Sequence, residues 1–472
     1  MLRISKRNLL AFGASLISLP RLLWAQTNAT DPRLMEGPMV GAVTPTSIVI
    51  WARVSGTTPV CVEYDTAANF AKPRRTAPVT PKRDDDYTVR ITIDGLARGS
   101  ACYYRVIVGS QVDRYQALNG LYRTHTAPAP AARGRFTVAL GSCVRIQQDA
   151  EQPIWKQVAG AEPDLFFWIG DNIYGDAQEP EFLAEEYRRQ RAVPGLQPVI
   201  RSIPQLAVWD DHDFGVNDGD RTNPTKDLAL KAFKQYWANP SYGLPDTPGV
   251  FFKYQYGGID FFFLDGRFYR DPNKQLSTPQ KTMLGAGQLA WLKAELKASK
   301  APFKVLLSGS GWSGGKGPTG DAWSSCLDER NALFDFIREN AITGVVLSSG
   351  DTHVAELNCI PWSEKGGYDF YDLTTSPLAQ RTESNWVDRH PEVRIRQVFS
   401  ADSNFGTMTF DTTGEPTLTY NVHDTRGRRA WTPFVITASQ LKNGVQSWRS
   451  TIDRVSLQNH ERHKAGGPYY LP

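Results

Sequence analysis

No internal repeat, no low-complexity segment and no second long apolar run interrupts this 472-residue chain. The first two absences remove solenoids and compositionally disordered arrays. The third removes a transmembrane helix beyond the N-terminal region. Cysteine is scarce and odd in number, at Cys61, Cys102, Cys143, Cys326 and Cys359, so a fully paired disulfide framework is excluded. Excess charge is also lacking once the N-terminus is set aside. The formal net charge is +4, and the first 25 residues hold Arg3, Lys6, Arg7 and Arg21 with no acid, so the remainder is neutral. A neutral chain has no electrostatic footprint for nucleic acid or an anionic membrane. Nor does any serine or cysteine stand in a nucleophile pattern beside a histidine base, which argues against a covalent enzyme intermediate.

What is present begins with an address. Residues 1–25 combine a basic start, an apolar stretch from Leu9 to Leu19 and a small residue, Ala25, before Gln26. That is the pattern of a signal peptide. Within it, Ser5-Lys6-Arg7-Asn8-Leu9-Leu10 resembles the twin-arginine export signal, with Lys6 in place of the first arginine, so the Sec and twin-arginine routes both stay open. Pro20 and Arg21 cut the apolar stretch short of the ~20 residues a membrane span needs. The expectation is export by the secretion machinery to a periplasmic or extracellular location. Disulfides are permitted there. Cys61 and Cys102 lie on strand-like runs that could be partners, Cys326 with Cys359 has no spacing to support it, and Cys143 is the candidate for the unpaired thiol.

The length suggests two domains. Residues 36–126 alternate short β segments with turns, including SIVIWARV, VCVEY, YTVRITI and CYYRVIV. Such spacing reads as a β-sandwich. The stretch from Ile93 to Val106 resembles the leucine, glycine and tyrosine corner of fibronectin type III-like domains, a packing device. Residues 127–135 read as a linker, because small residues and prolines supply neither periodicity nor core. From 136 to 456 apolar strands alternate with helices at 176–191, 227–237, 286–299 and 328–340, the signature of an α/β sheet. Residues 457–472 are left as a C-terminal tail.

Four polar clusters follow apolar runs in this second region. They are Gly141-Ser142-Cys143 after FTVAL, Gly170-Asp171-Asn172-Ile173-Tyr174 after DLFFWI, Asp210-Asp211-His212-Asp213 after QLAVW, and Gly350-Asp351-Thr352-His353 after GVVLSS. Strand ends of α/β sheets are where ligands bind. Each cluster alone is an ordinary turn or cap. Four in order are not. Thiolate, carboxylate and phenolate from Cys143, Asp171 and Tyr174 suit Fe(III), with zinc open through Cys143 and His353. Asp211 and Asp351, with Asp171 shared, form an oxygen-rich set that suits Ca2+, Mg2+ or Mn2+. Asp351 and His353 are expected to point the same way from alternate strand-like positions. A cation pair sharing a carboxylate activates water and withdraws charge from phosphoryl oxygens. His212, flanked by Asp211 and Asp213, is the candidate general acid. Arg267, in Leu264-Asp265-Gly266-Arg267, is the candidate phosphate clamp.

The ordered set G-S-C, G-D-x-I-Y, W-D-D-H-[DE] and S-G-D-x-H resembles the PhoD-type alkaline phosphatases of the metallophosphoesterase superfamily, over most of the chain after residue 25. The resemblance implies a metallophosphoesterase-like α/β sandwich behind a fibronectin-like module. It implies an exported phosphatase or phosphodiesterase acting on small phosphoesters with Fe(III) and Ca2+. It assigns Cys143, Asp171, Tyr174 and His353 to iron, and Asp211 and Asp351 to the second metal. His212 takes the acid position and Arg267 the L-D-x-R position. Asn172 and Gly175-Asp176 depart from the aromatic and glutamate residues usual there, and the loop after His212 lacks paired asparagines. Rival readings are a phospholipase D-like phosphodiesterase, for which Trp312 and Trp323 are candidate mouth residues, and a non-catalytic surface- or glycan-binding protein.

Overall fold

Strand-forming residues in the first hundred positions build two small sheets, in a computed structural model that describes residues 32–112, 121–177, 179–313, 315–383 and 393–464. The segment read as a signal peptide lies outside those residues. One sheet joins β1 (Leu34–Val43), β2 (Ile48–Val54) and β4 (Thr88–Ile93). The other is built on β3 (Val60–Asp65), β5 (Ala101–Val108) and β6 (Tyr122–His125). Cys61 lies opposite Ile107 and Cys102 opposite Thr124, so the two thiols do not face each other. All five cysteines are free, so the possible Cys61–Cys102 pair is not formed.

Two larger sheets follow. The first runs in the order β9 (Gln205–Val208), β8 (Leu165–Ile169), β7 (Arg135–Gly141), β16 (Asn404–Asp411), β17 (Thr417–Asp424) and β18 (Phe434–Thr437). Within it β7, β8 and β9 are parallel. The second runs β10 (Phe252–Tyr256), β11 (Ile259–Leu264), β12 (Lys304–Ser308), β13 (Val345–Ser349), β15 (Phe370–Thr374) and β14 (Glu356–Ile360), closed by the pair Val393–Arg394. There β11, β12, β13 and β15 are parallel.

The alternation along β8 shows how the layers form, since successive strand residues face opposite sides. Phe167 meets Phe261 and Phe263 of the other sheet at 5.0 and 4.9 Å between centroids. Phe166 and Trp168 turn outward onto Trp155 of α1 (Ile154–Gly160). Each fully buried phenylalanine contributes roughly 1.5–3 kcal/mol of burial. Outside the second sheet, α6 (Gly285–Ala298) lays Trp291 against Phe262, and α7 (Leu327–Glu339) stacks Phe334 on Phe370. Two facing sheets with helices outside form the expected α/β sandwich.

Helix α2 begins at Pro180 and ends at Arg191, four residues later than the sequence pattern suggests. Proline has no N–H to give and is well suited to a first helical turn. The residues before it are thereby left for the site. Helices α3 (Gln197–Ser202), α4 (Asp211–Phe214) and α5 (Lys226–Tyr236) follow. The last helices are α8 (Trp448–Thr451) and α9 (Arg454–Lys464), so part of the segment read as a tail is helical.

The small sheets are bonded to this body. The Tyr104 hydroxyl leaves its sandwich to donate to Arg201 carbonyl at 2.7 Å, and Trp51 Nε1 donates to Gln235 carbonyl at 2.8 Å. Asp86, in a turn of the small sheets, accepts from Arg53 and from Arg188 of α2, at 2.9 Å in each case. The 127–135 segment is anchored as well, with Ala127 N–H on Thr44 carbonyl and Gly134 carbonyl accepting from Thr412 N–H.

Candidate metal centre

The polar clusters are delivered by both large sheets. Cys143, Asp171 and Asp211 follow β7, β8 and β9, while Arg267 and Asp351 follow β11 and β13. The centre therefore sits where the parallel strand ends of two facing sheets converge, and glycines permit the approach. A Cβ on Gly350 would lie 2.6 Å from the Ser142 Cβ, and one on Gly309 would lie 2.6 Å from the Asp210 Cγ. The backbone is turned sharply at this place. Cys143, Asp171, Asp176, Asp218, Asp351 and His353 have φ between +44° and +69°, six of the twelve non-glycine residues with positive φ among those described. Left-handed backbone is costly for such residues and concentrates at functional sites. It also corrects one expectation: β13 stops at Ser349, and Asp351 and His353 are aimed by left-handed turns rather than by strand alternation.

Three unlike donors meet around Asp171. The Cys143 thiol donates to Asp171 Oδ2 at 3.4 Å, and the Tyr174 hydroxyl stands 3.3 Å from that oxygen and 3.2 Å from His353 Nε2. Donor atoms of Cys143, Asp171 and His353 all lie within 4.8 Å of one another. Burial, with Asp211 and Cys143 beside it, raises Asp171 well above the usual carboxylate range. Burial likewise pushes Cys143 up to about 11 and Tyr174 well above its ordinary value, and it lowers His353 to about 4, with Lys316 adding to the effect. Burial and mutual repulsion thus disfavour the charged forms of all three acidic groups. A bound metal ion reverses that balance by taking thiolate, carboxylate and phenolate as ligands. The donor set fits a highly charged ion.

Asp171 and Asp211 form a second group with His212. Asp211 Oδ1 and Asp210 Oδ2 are buried and have no hydrogen-bond partner, so oxygen acceptors are left over for a cation. Asp351 is not in that group. It clusters with Asp210 and Asp321, and Asp211 clusters with Asp218 and Asp321. The ammonium of Lys316 caps Asp351. Asp218 comes from the loop that follows the Asp-Asp-His-Asp cluster, while Asp321 is an acid that strand-end reasoning overlooks, because it comes from a loop without a preceding apolar run.

Arg267 is displaced from its expected role as a phosphate clamp. Its side chain is fully buried and all five N–H groups are taken. Nε donates to Asp210, Nη1 to Gly219 carbonyl and Asp321, and Nη2 to Ser310 and Asp321. Asp211 Oδ1 lies 3.6 Å away, and Arg270 shares Asp321 at 3.0 Å. A guanidinium has five donors and no more. In this arrangement Arg267 braces the carboxylates, with nothing left for a substrate.

His212 is held by Asp176 and not by its flanking acids. Its Nδ1 bonds Asp176 Oδ1. Asp213 instead accepts from the Asn172 and Asp210 backbone N–H groups and from the Tyr187 hydroxyl. Burial alone would lower the imidazole, but Asp171, Asp211 and Asp176 push it up to about 10. Its ring lies on Tyr174 with centroids 4.0 Å apart. Gln380 is another residue the clusters do not announce, its amide donating to the Tyr174 hydroxyl at 2.5 Å. Trp312 and Trp323 are fully buried and stacked on each other, which removes them from the mouth. His423 is apart from the centre, stacked on Phe405.

Residues 138–428 match the family model of the PhoD-like phosphatase, and residues 21–128 match the PhoD-like phosphatase N-terminal domain. Alkaline phosphatase D of Bacillus subtilis (strain 168) is 26% identical over 394 residues, covering 70% of this chain and 65% of that protein. The match thus spans just under two-thirds of that relative's length. Among solved structures, PhoD superposes with a TM-score of 0.70 at 20% identity, over 90% of this chain and 95% of that one. A purple acid phosphatase, PPD1 of yellow lupin (Lupinus luteus), superposes with a TM-score of 0.59 at 15% identity, over 90% of this chain and 76% of its own. These two establish the likeness of fold. Matched by the family model over more than half its length, the chain belongs to the PhoD-like phosphatase family.

Proposed function

We propose that this chain is an exported, metal-dependent phosphoester hydrolase of the alkaline phosphatase D type. The observation that carries the reading is the convergence of thiol, phenol and imidazole on one shared carboxylate, Asp171, with a second carboxylate group beside it. Cys143, Asp171, Tyr174 and His353 are the residues to hold Fe(III), and Asp171, Asp211 and Asp351 those to hold Ca2+. When bound, the two ions supply a water nucleophile of lowered pKa for direct attack on phosphorus and draw charge from the phosphoryl oxygens.

The chain's own residues do the rest. His212, fixed through Nδ1 by Asp176, is the group to give a proton from its other ring nitrogen to the departing ester oxygen. Arg267 and Arg270 compensate Asp210 and Asp321, which keeps the carboxylates close without collapse. The Cys143 thiol donates to Asp171, the carboxylate the proposed metals share, which suits a ligand in direct hydrolysis. No helix among the described residues is long and apolar enough to cross a membrane, and the signal-peptide pattern of residues 1–25 supports export. Phosphomonoesters and phosphodiesters are the substrate classes. The phospholipase D-like reading loses its particular support with the burial of Trp312 and Trp323.

The test is elemental analysis of the metal-replete protein together with hydrolysis of p-nitrophenyl phosphate and its bis ester. We expect iron in the protein and turnover of at least one ester, and Cys143→Ser should lose both. Retained metal with full activity in that variant would overturn the ligand assignment.

A further inference from the structure

Arg267 is committed to carboxylates, and the loop after β12 brings a further cationic side chain to the site. The loop is pinned at its base. Trp312 and Trp323 stack with centroids 4.3 Å apart, and Trp323 N–H donates to Gly311 carbonyl at 3.0 Å. Their indole nitrogens bond Ser348 carbonyl and Ser308 Oγ, which fixes the base to the ends of β13 and β12. Between the pins runs Ser313-Gly314-Gly315-Lys316-Gly317-Pro318-Thr319-Gly320-Asp321. Gly320 folds back on the tip: a Cβ there would lie 2.3 Å from Lys316 carbonyl oxygen and 2.6 Å from its Cβ. The return that aims Lys316 inward thus requires glycine. Its ammonium ends on the Asp351 carboxylate, and the side chain keeps 22% exposure toward solvent.

We propose that Lys316 is the phosphate anchor of this chain, a lysine on the tip of a glycine-rich flap that bonds a non-bridging oxygen of the bound ester. The inference rests on the phosphoester reading above. Asp351 is a proposed metal ligand, and one carboxylate cannot give its full charge to both a divalent ion and an ammonium. An ion held by Asp351 would leave the ammonium free to bond elsewhere, and the phosphoryl oxygens are the anionic atoms that a substrate would bring to that place. The pinned base keeps the lysine at the site during the exchange, while the glycines let the tip shift. A compact ammonium on a flexible stem suits such a point contact. A dianionic monoester gains more from it than a monoanionic diester.

The experiment compares metal-replete Lys316→Ala, Lys316→Arg and Gly320→Ala with the unaltered chain. Inorganic phosphate is titrated by calorimetry and as an inhibitor, KM and kcat are measured on p-nitrophenyl phosphate and its bis ester, and metal content is determined on the same samples. Lys316→Ala should keep its metals, bind phosphate roughly ten- to a hundredfold more weakly and raise the monoester KM alike. The diester KM should move less, Lys316→Arg should recover part of the loss, and Gly320→Ala should shift phosphate binding in the same direction. Unchanged phosphate affinity in Lys316→Ala at full metal content would overturn the proposal, as would a loss that simply tracks lost metal. Failure of the unaltered chain to hydrolyse either ester would sink the functional reading itself, a separate result.

Discussion

Replacing Arg267 by methionine keeps an unbranched side chain in the same buried volume and removes only the charge and the five hydrogen bonds. In the structure those bonds hold one oxygen of Asp210 and both oxygens of Asp321. Breaking a buried ion pair from one side costs about 3–5 kcal/mol, because the partner charge is left uncompensated. Arg270 remains 3.0 Å from Asp321, which places the expected loss near the lower end, about 3 kcal/mol. That is a large share of the ~5–15 kcal/mol that separates folded from unfolded protein. The assay is urea unfolding with the slope held in view, so that a changed midpoint reads as changed stability. The double variant Arg267→Met with Asp321→Asn should recover part of the loss, with a coupling of about 0.5–3 kcal/mol for residues in one network. If Arg267→Met instead unfolds within ~1 kcal/mol of the parent and its main defect is weaker phosphate binding, the guanidinium is a substrate clamp after all and the bracing argument fails.

Further outcomes follow from other contacts. Asp176→Asn should reduce turnover more for esters with poor leaving groups than for good ones, since it disturbs the group that protonates the leaving oxygen; equal losses across a leaving-group series would count against this. Gly350→Ala drives a methyl against Ser142 and should cost about 1–3 kcal/mol and lower metal occupancy, read by unfolding and elemental analysis. Removing metal with a chelator should lower the unfolding midpoint, as binding to the folded state alone stabilises it. Burial raises Asp86, but Arg53, Tyr236 and Arg188 outweigh that and hold it below the ordinary carboxylate value. A depressed folded pKa contributes stability above the unfolded value near ~4 that is lost as pH falls below it. Partly exposed as Asp86 is, the contribution is about 1 kcal/mol. Asp86→Asn should therefore lower the unfolding midpoint at pH 7 and flatten its decline on acidification below pH ~4, and an unaltered acid profile would refute the assignment.

Much of the site was legible along the chain because its grammar is local. A buried strand needs a run such as FTVAL or DLFFWI, and the polar residues that end it must sit at the strand edge, so Cys143, Asp171, Asp211 and Asp351 could be placed there from order alone. Donor type is local too: a thiol, a phenol and a carboxylate at successive strand ends suggest a metal before any contact is known. The partners of those residues are not local. His212 is bonded by Asp176, thirty-six positions away, and not by the acid beside it. Arg267 is consumed by Asp321, fifty-four positions away in a loop with no apolar run to mark it. The two tryptophans that read as mouth residues form the buried base of a flap. The two cysteines read as possible partners stand out of register on adjacent strands. The sequence by itself therefore determined which elements form and which chemical groups stand at their ends, since propensity and hydrophobic pattern act over a few residues. Only the tertiary structure decided which charges cancel, which hydrogen-bond donors stay free and which lysine reaches the carboxylates, because those depend on contacts between segments that meet only once the two sheets have packed.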